Sequence, residues 1–147
     1  MTTAAEPVFV DTNVLVYANV PTTPPHSRVV AALKGVEAAG ANLWVSRQIL
    51  REYLATLSRP QSFTAPVPIA LVAADVVRMQ VEFLVAEGGP LVTANLLALL
   101  RAIPCGGKQV HEANIVATMQ AHGLRRLLTH NVGDFARFGG IVDVVTL

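Results

Sequence analysis

Charged side chains are scarce in this chain, at 14% of 147 residues against 52% hydrophobic. The net charge of +1 offers no basic surface of the kind a general nucleic-acid binder uses for its many phosphate contacts, so any work on nucleic acid needs a specific site. Cysteine is rarer still. Cys105 stands alone, which excludes an internal disulfide, and His26, His111, His122 and His130 form no cysteine–histidine cluster with zinc spacing. A reducing cytoplasm suits such a chain. Long apolar runs are also missing. None approaches the roughly 18 residues of a membrane span, and Met1–Pro7, which carries Glu6, lacks a basic segment followed by an apolar one. The expectation is a soluble, cytoplasmic protein with no membrane contact.

What is present suffices for one globular domain over residues 1–147, with more apolar side chains than a small core needs, so an oligomer or a partner is expected. The chain is organised around Val8-Phe9-Val10-Asp11-Thr12-Asn13. Val8 to Val10 is β-branched and aromatic without polar interruption, which suits a strand buried on both faces, and Pro7 marks its start. Asp11 then lies at the strand's C-terminal end, the edge of an open α/β sheet where ligands bind. Taken alone, Asp11 reads first as no more than a cap of the next turn, Asn13 to Ala18, and only the full constellation reverses that.

The remaining chain alternates helical and strand patterns. Thr23 is placed to cap a helix that runs to about Ala39, with Val29, Val30, Leu33 and Val36 on one stripe and Gly40 closing it. Leu43–Val45 reads as a second strand. Ser46 then caps a helix whose apolar residues Ile49, Leu50, Tyr53, Leu54 and Leu57 leave Glu52 on the flank, beside Gln48. A proline-containing loop covers Ser58–Pro68, a long helix is expected over Ile69–Ala86, Leu91–Thr93 reads as a short strand or the start of a helix, and a helix follows over Thr93–Ile103. Asp75 and Glu82 read as solvated.

Gln109–Gln120 is nearly all apolar and should be a buried helix, in which Glu112 shares a face with Ile115, Val116 and Met119. A carboxylate there needs a cation or a proton, or else it serves the helix dipole from the first turn. Arg125–Thr129 reads as the next strand, and His130–Phe135 as a second acidic loop, where Asp134 could be a plain turn residue. Ile141–Val145 is the last strand. Strands alternating with helices call for a parallel sheet covered on both sides.

In such a sheet Asp11 and Asp134 project from one edge, and Glu52 and Glu112 can reach the same crevice. Several hard oxygen ligands without a thiolate or imidazole cluster favour Mg²⁺ or Mn²⁺ over zinc, and such ions suit phosphodiester cleavage. The residues Phe9–Ala18, Gln48-x-x-x-Glu52, Val110–Ala117 and Leu128–Phe135 resemble, in order and over nearly the whole chain, the four acidic motifs of PIN-domain ribonucleases, with VapC toxins the nearest likeness.

That resemblance implies a three-layer α/β/α sandwich around a parallel sheet, and Asp11, Glu52, Glu112 and Asp134 holding one or two Mg²⁺ or Mn²⁺ ions. It implies an RNA substrate and a small cognate antitoxin as partner. Asn13, Thr129 and Asn131 match positions that support the site. The third motif usually carries Asp, and Glu112 extends its carboxylate about 1.5 Å further from the backbone. The excess apolar surface of the helices Ile69–Ala86 and Arg47–Leu57 points to a homodimer.

Two rivals stand beside this reading. A haloacid-dehalogenase-like phosphatase also opens on a strand ending in Asp, but it wants a second Asp where Asn13 stands and a late lysine, whereas Lys34 and Lys108 are the only lysines. A catalytically silent PIN scaffold that binds RNA or a partner is the other, and Glu112 is the feature that points to it.

Overall fold

Five short strands, β1 (Val8–Val10), β2 (Leu43–Ser46), β3 (Leu84–Ala86), β4 (Arg126–Leu128) and β5 (Asp143–Val145), form one parallel sheet in the order β3-β2-β1-β4-β5. This is a computed structural model that describes residues 5–147, so residues 1–4 of the expected domain lie outside the described residues. β1 occupies the centre, and all three of its side chains are fully buried, which is why its sequence needs no polar alternation.

The strand order fixes where the helices go. The chain steps from β1 to β2 to β3 in one direction through α1 (Thr12–Asn19), α2 (His26–Ala38), α3 (Arg47–Leu57) and α4 (Ile69–Glu82). It then crosses back through α5 (Pro90–Ala102) and α6 (Gln109–Ala121) to β4, and through a 3-10 helix, Val132–Phe138, to β5. Right-handed crossovers place α1–α4 on one face and α5, α6 and the 3-10 helix on the other, giving the expected three-layer α/β/α sandwich. The reversal of direction falls between β1 and β4. Their C-terminal ends therefore flank a crevice from which the connections diverge to opposite faces.

Several elements differ from expectation. The segment Ile69–Ala86 is not one helix: α4 ends at Glu82, Phe83 is extended (φ −112°, ψ 151°), and Leu84–Ala86 is an edge strand paired with β2. The cause is an apolar run with no Gly or Pro between helix and strand, a pattern that periodicity cannot divide. Leu91–Thr93 is helical, inside an α5 that starts at Pro90, where the missing N–H is harmless. Asn13–Ala18 is part of the full helix α1, and Asp134 lies in the first turn of the 3-10 helix and not in an open loop. The last strand begins at Asp143 and not at Ile141. Thr23 makes no cap to α2; its hydroxyl donates to the Val20 carbonyl at 2.7 Å.

Asp75 is not simply solvated either. Tyr53 is fully buried, so its hydroxyl needs a partner, and it donates to Asp75 at 2.6 Å, tying α3 to α4. Burial, with Asp75 as acceptor, pushes the Tyr53 phenol well above its ordinary value. Glu82 is exposed but pairs with Arg78 at 3.3 Å. The excess apolar surface is also placed differently: α3 buries Ile49, Leu50, Tyr53 and Leu57, while Ile69, Leu71, Val77 and Val81 on α4, Leu84 on β3 and Leu91 and Leu97 on α5 are exposed. Among the described residues no helix is long and apolar enough to cross a membrane.

Candidate active site

The end of β1 places Asp11 in the crevice. The Asp11 amide donates to the Leu128 carbonyl at 3.0 Å, which locks the residue to the end of β4. The residue is 7% exposed. One carboxylate oxygen accepts from the Thr12 amide at 2.8 Å, so the capping role for Asp11 is real. The other accepts from the Thr129 hydroxyl at 2.8 Å and from Asn13 at 3.3 Å, so capping is only part of its role. Burial raises the Asp11 carboxyl from an ordinary value near 3.8 to about 6; the bonds from Thr129 and Thr12 oppose the rise, and the charges of Glu52 and Asp134 add to it.

Glu52 reaches the same place from α3, whose N-terminus Ser46 caps through a bond from the Ile49 amide at 3.3 Å. Its two oxygens accept from the Thr12 hydroxyl at 2.7 Å and from Gln48 at 2.8 Å. Gln48 in turn donates to the His111 carbonyl at 3.0 Å and accepts from Asn114 at 2.7 Å, so it ties α3 to α6. Asn13 accepts from the His130 amide at 3.0 Å, and Thr129, fully buried, accepts from the Asn131 amide at 3.1 Å. Asn131 therefore supports Thr129 through its backbone, while its side chain lines the cleft.

Glu112 and Asp134 complete the acidic lining but are held differently. Glu112 stands in the first turn of α6, half-buried, and its carboxyl is raised by that burial and by Asp134, with Arg137 opposing. Asp134 is exposed on the 3-10 helix. Among the described residues neither carboxylate accepts a hydrogen bond or forms an ion pair.

All four acids line one open cavity of about 540 Å³, together with Arg59, Lys108, Tyr17 and Phe63. Arg59 and Lys108 carried no pattern that marked them in the sequence, because a single cation on a helix end or loop repeats nothing. The Thr12 bond to Glu52 was equally hidden, since it joins residues 40 apart.

The donor set suits a hard divalent cation: four carboxylates and no thiolate, with Asp11 and Glu112 lifted first by burial and further by the neighbouring carboxylates. The cage is not closed, since among the described residues no three His, Cys, Asp or Glu side chains stand close enough to hold an ion together. Two of the acids are held by hydrogen bonds and, among the described residues, two are not.

Known proteins share parts of this sequence and its fold. No family model matches the chain. It is 30% identical over 134 residues to Ribonuclease VapC24 of Mycobacterium tuberculosis, covering 88% of this chain and 90% of that protein. The fold is shared with a toxin–antitoxin complex from Klebsiella pneumoniae, at 21% identity and a TM-score of 0.63 over 95% of this chain and 96% of that one. It is shared too with Mycobacterium tuberculosis VapC20, a sarcin–ricin-loop-cleaving toxin, at 17% identity and a TM-score of 0.64 over 92% and 96% of the two chains.

Proposed function

Since the chain belongs to the VapC family of PIN-domain ribonucleases, we propose that residues 1–147 act as one PIN domain, a metal-dependent toxin endoribonuclease that hydrolyses RNA in the cleft of Asp11, Glu52, Glu112 and Asp134. The observation that carries this reading is the convergence of four carboxylates from β1, α3, α6 and the 3-10 helix on one cavity at the sheet's reversal point. The dehalogenase-like phosphatase is set aside: a ribonuclease relative aligns along most of the chain, and the residue where that rival needs a second acid is an Asn bonded to Asp11, Thr129 and the His130 amide.

A bound Mg²⁺ or Mn²⁺ would polarise the phosphoryl oxygen and lower the pKa of the attacking water. The chain's own residues do the rest. Thr129, Asn13 and the Thr12 amide keep the Asp11 carboxylate oriented, and Thr12 and Gln48 do the same for Glu52. Glu112 and Asp134, free of such bonds among the described residues, would complete the ligand set. Arg59 and Lys108, which line the cleft and have no ion-pair partner among the described residues, are the cations available to RNA phosphates there.

The toxin–antitoxin complex that shares the fold supports a small cognate antitoxin as partner, both acting in the cytoplasm. The apolar residues exposed on α4, β3 and α5 support a homodimer, which sedimentation at micromolar concentration would read directly. The test of the activity is incubation with total cellular RNA in Mg²⁺, Mn²⁺ or EDTA, followed by mapping of new ends. Discrete new ends in either ion and none in EDTA are expected; no ends in any condition would leave the silent scaffold.

A further inference from the structure

Beside the acidic cleft lies a second cavity of about 650 Å³, and Tyr17 and Phe63 line both. Its walls come from four places in the chain: Tyr17 near the end of α1, Phe63 in the loop between α3 and α4, His130 just after β4, and Pro24, Pro25 and Arg28 at the start of α2. Tyr17 meets Phe63 edge to face, with ring centroids 5.8 Å apart, and meets His130 in the same way at 5.1 Å. All three residues are half-buried, so part of each remains accessible.

The loop that carries Phe63 is held in place. The Val67 amide donates to the Leu57 carbonyl at 2.7 Å, the Gln61 amide to Thr64 at 3.1 Å, and the Gln61 side chain to the Thr56 carbonyl at 2.8 Å. Phe63 is therefore a preplaced platform at the mouth between the two cavities. Arg28 is exposed on α2 and makes no hydrogen bond or ion pair with any described residue, so its charge is available to a ligand.

A cavity walled by aromatic edges and faces, with one uncommitted guanidinium at its rim and an opening onto a phosphate-cutting site, matches a planar base followed by a phosphate. We propose that this cavity receives one unpaired base of the RNA strand, next to the nucleotide whose phosphodiester lies on the acids, with the base against Tyr17, Phe63 and His130 and Arg28 on its phosphate. The inference rests on the ribonuclease reading above. Stacking on aromatic side chains tolerates any base, so the cavity selects strand state ahead of sequence. A base inside a duplex cannot enter it.

The test is fluorescence anisotropy in EDTA, where no cutting occurs, using labelled single-stranded oligouridine and oligoadenosine of about eight nucleotides and an RNA duplex of similar length. The single strands should bind tighter than the duplex. Phe63→Leu, which keeps apolar packing in the loop, should weaken single-strand binding by about 5- to 100-fold and leave duplex binding unchanged. Arg28→Ala, on an exposed helix position, should lower the slope of log affinity against log salt by about 0.7, and Arg28→Lys should restore it. Melting temperature checks each fold, and the Arg28 pair carries the test if Phe63→Leu does not fold.

Wild-type affinity and salt slope in the folded variants, or a preference for duplex, overturns the subsite. Cleavage by the wild type in metal answers separately for the ribonuclease. Cutting with variant-insensitive binding removes the subsite alone, and variant-sensitive binding without cutting removes the ribonuclease alone.

Discussion

The cleft has two unlike halves. Asp11 and Glu52 sit at the junction of β1, α1 and α3, and every oxygen they carry accepts a hydrogen bond from a neighbouring hydroxyl, amide or side-chain amide. Glu112 and Asp134 face them from α6 and the 3-10 helix with no such bonds among the described residues, and Asp134 is exposed. A strand end can fix a carboxylate because the backbone on either side is already committed to the sheet. A helix first turn supplies only a favourable dipole, which leaves a long side chain free to swing. One half of the site is thus held by hydrogen bonds, and the other half, among the described residues, is not.

The largest effect that separates the halves is expected at Asp11. Asp11→Asn keeps the side-chain shape but removes the buried charge, and RNA cleavage should fall by more than about 100-fold. The fold should gain stability of about 1 kcal/mol in the metal-free protein near neutral pH, less than the approximately 3 kcal/mol that a rise from 3.8 to about 6 represents, because the amide cannot accept all of the bonds the carboxylate does.

The sign follows from the raised value. Asp11 is least costly when protonated, so its contribution is fully present below about pH 4 and is lost as the pH climbs through about 6. Thermal unfolding in EDTA across that window should therefore show a downward step in wild type that Asp11→Asn lacks. Parallel curves for the two proteins would mean that Asp11 titrates normally.

Thr129→Val breaks the support of the fixed half without touching a carboxylate. The hydroxyl donates to Asp11 and accepts from the Asn131 amide, so its loss should cost about 1–3 kcal/mol of stability and about 10- to 100-fold in activity. Cleavage kinetics beside a denaturant titration would read both. A loss of stability with full activity would show that Asp11 needs no orientation.

The smallest effects are expected at the free half. Glu112→Asp shortens the side chain without removing its charge and should keep or raise the rate in Mg²⁺, which wants near-ideal octahedral geometry, while wild type should work better in Mn²⁺. A rate ratio between the two ions that is equal in wild type and Glu112→Asp would show that side-chain length is irrelevant.

The same contrast explains what could be read from the sequence. β1 and Asp11 were legible because a buried central strand is a continuous apolar run that stops where the sheet stops. Glu52 was legible through the stripe beside it, and the Gln48 flank it was placed on is where the structure has it. β3 was not legible, because Phe83-Leu84-Val85-Ala86 continues the apolar spacing of α4 and only pairing with β2 separates strand from helix. The Tyr53 bond to Asp75 was missed for the same reason: it is a tertiary contact between two helices, and neither helix shows it in its own periodicity. Phe63 gave no signal within a proline-containing loop, since nothing local says which loop residue turns toward a cleft.

The proposal that both halves hold the metal is tested most directly by Mn²⁺ titration, followed by electron paramagnetic resonance, of wild type, Glu112→Gln and Asp134→Asn. Each neutral substitution should weaken Mn²⁺ binding by about 10-fold or more while changing stability by only about 0.3–1 kcal/mol, the size of a helix-end charge effect. Wild-type Mn²⁺ affinity in both folded variants would contradict it, leaving Asp11 and Glu52 as the whole of the site.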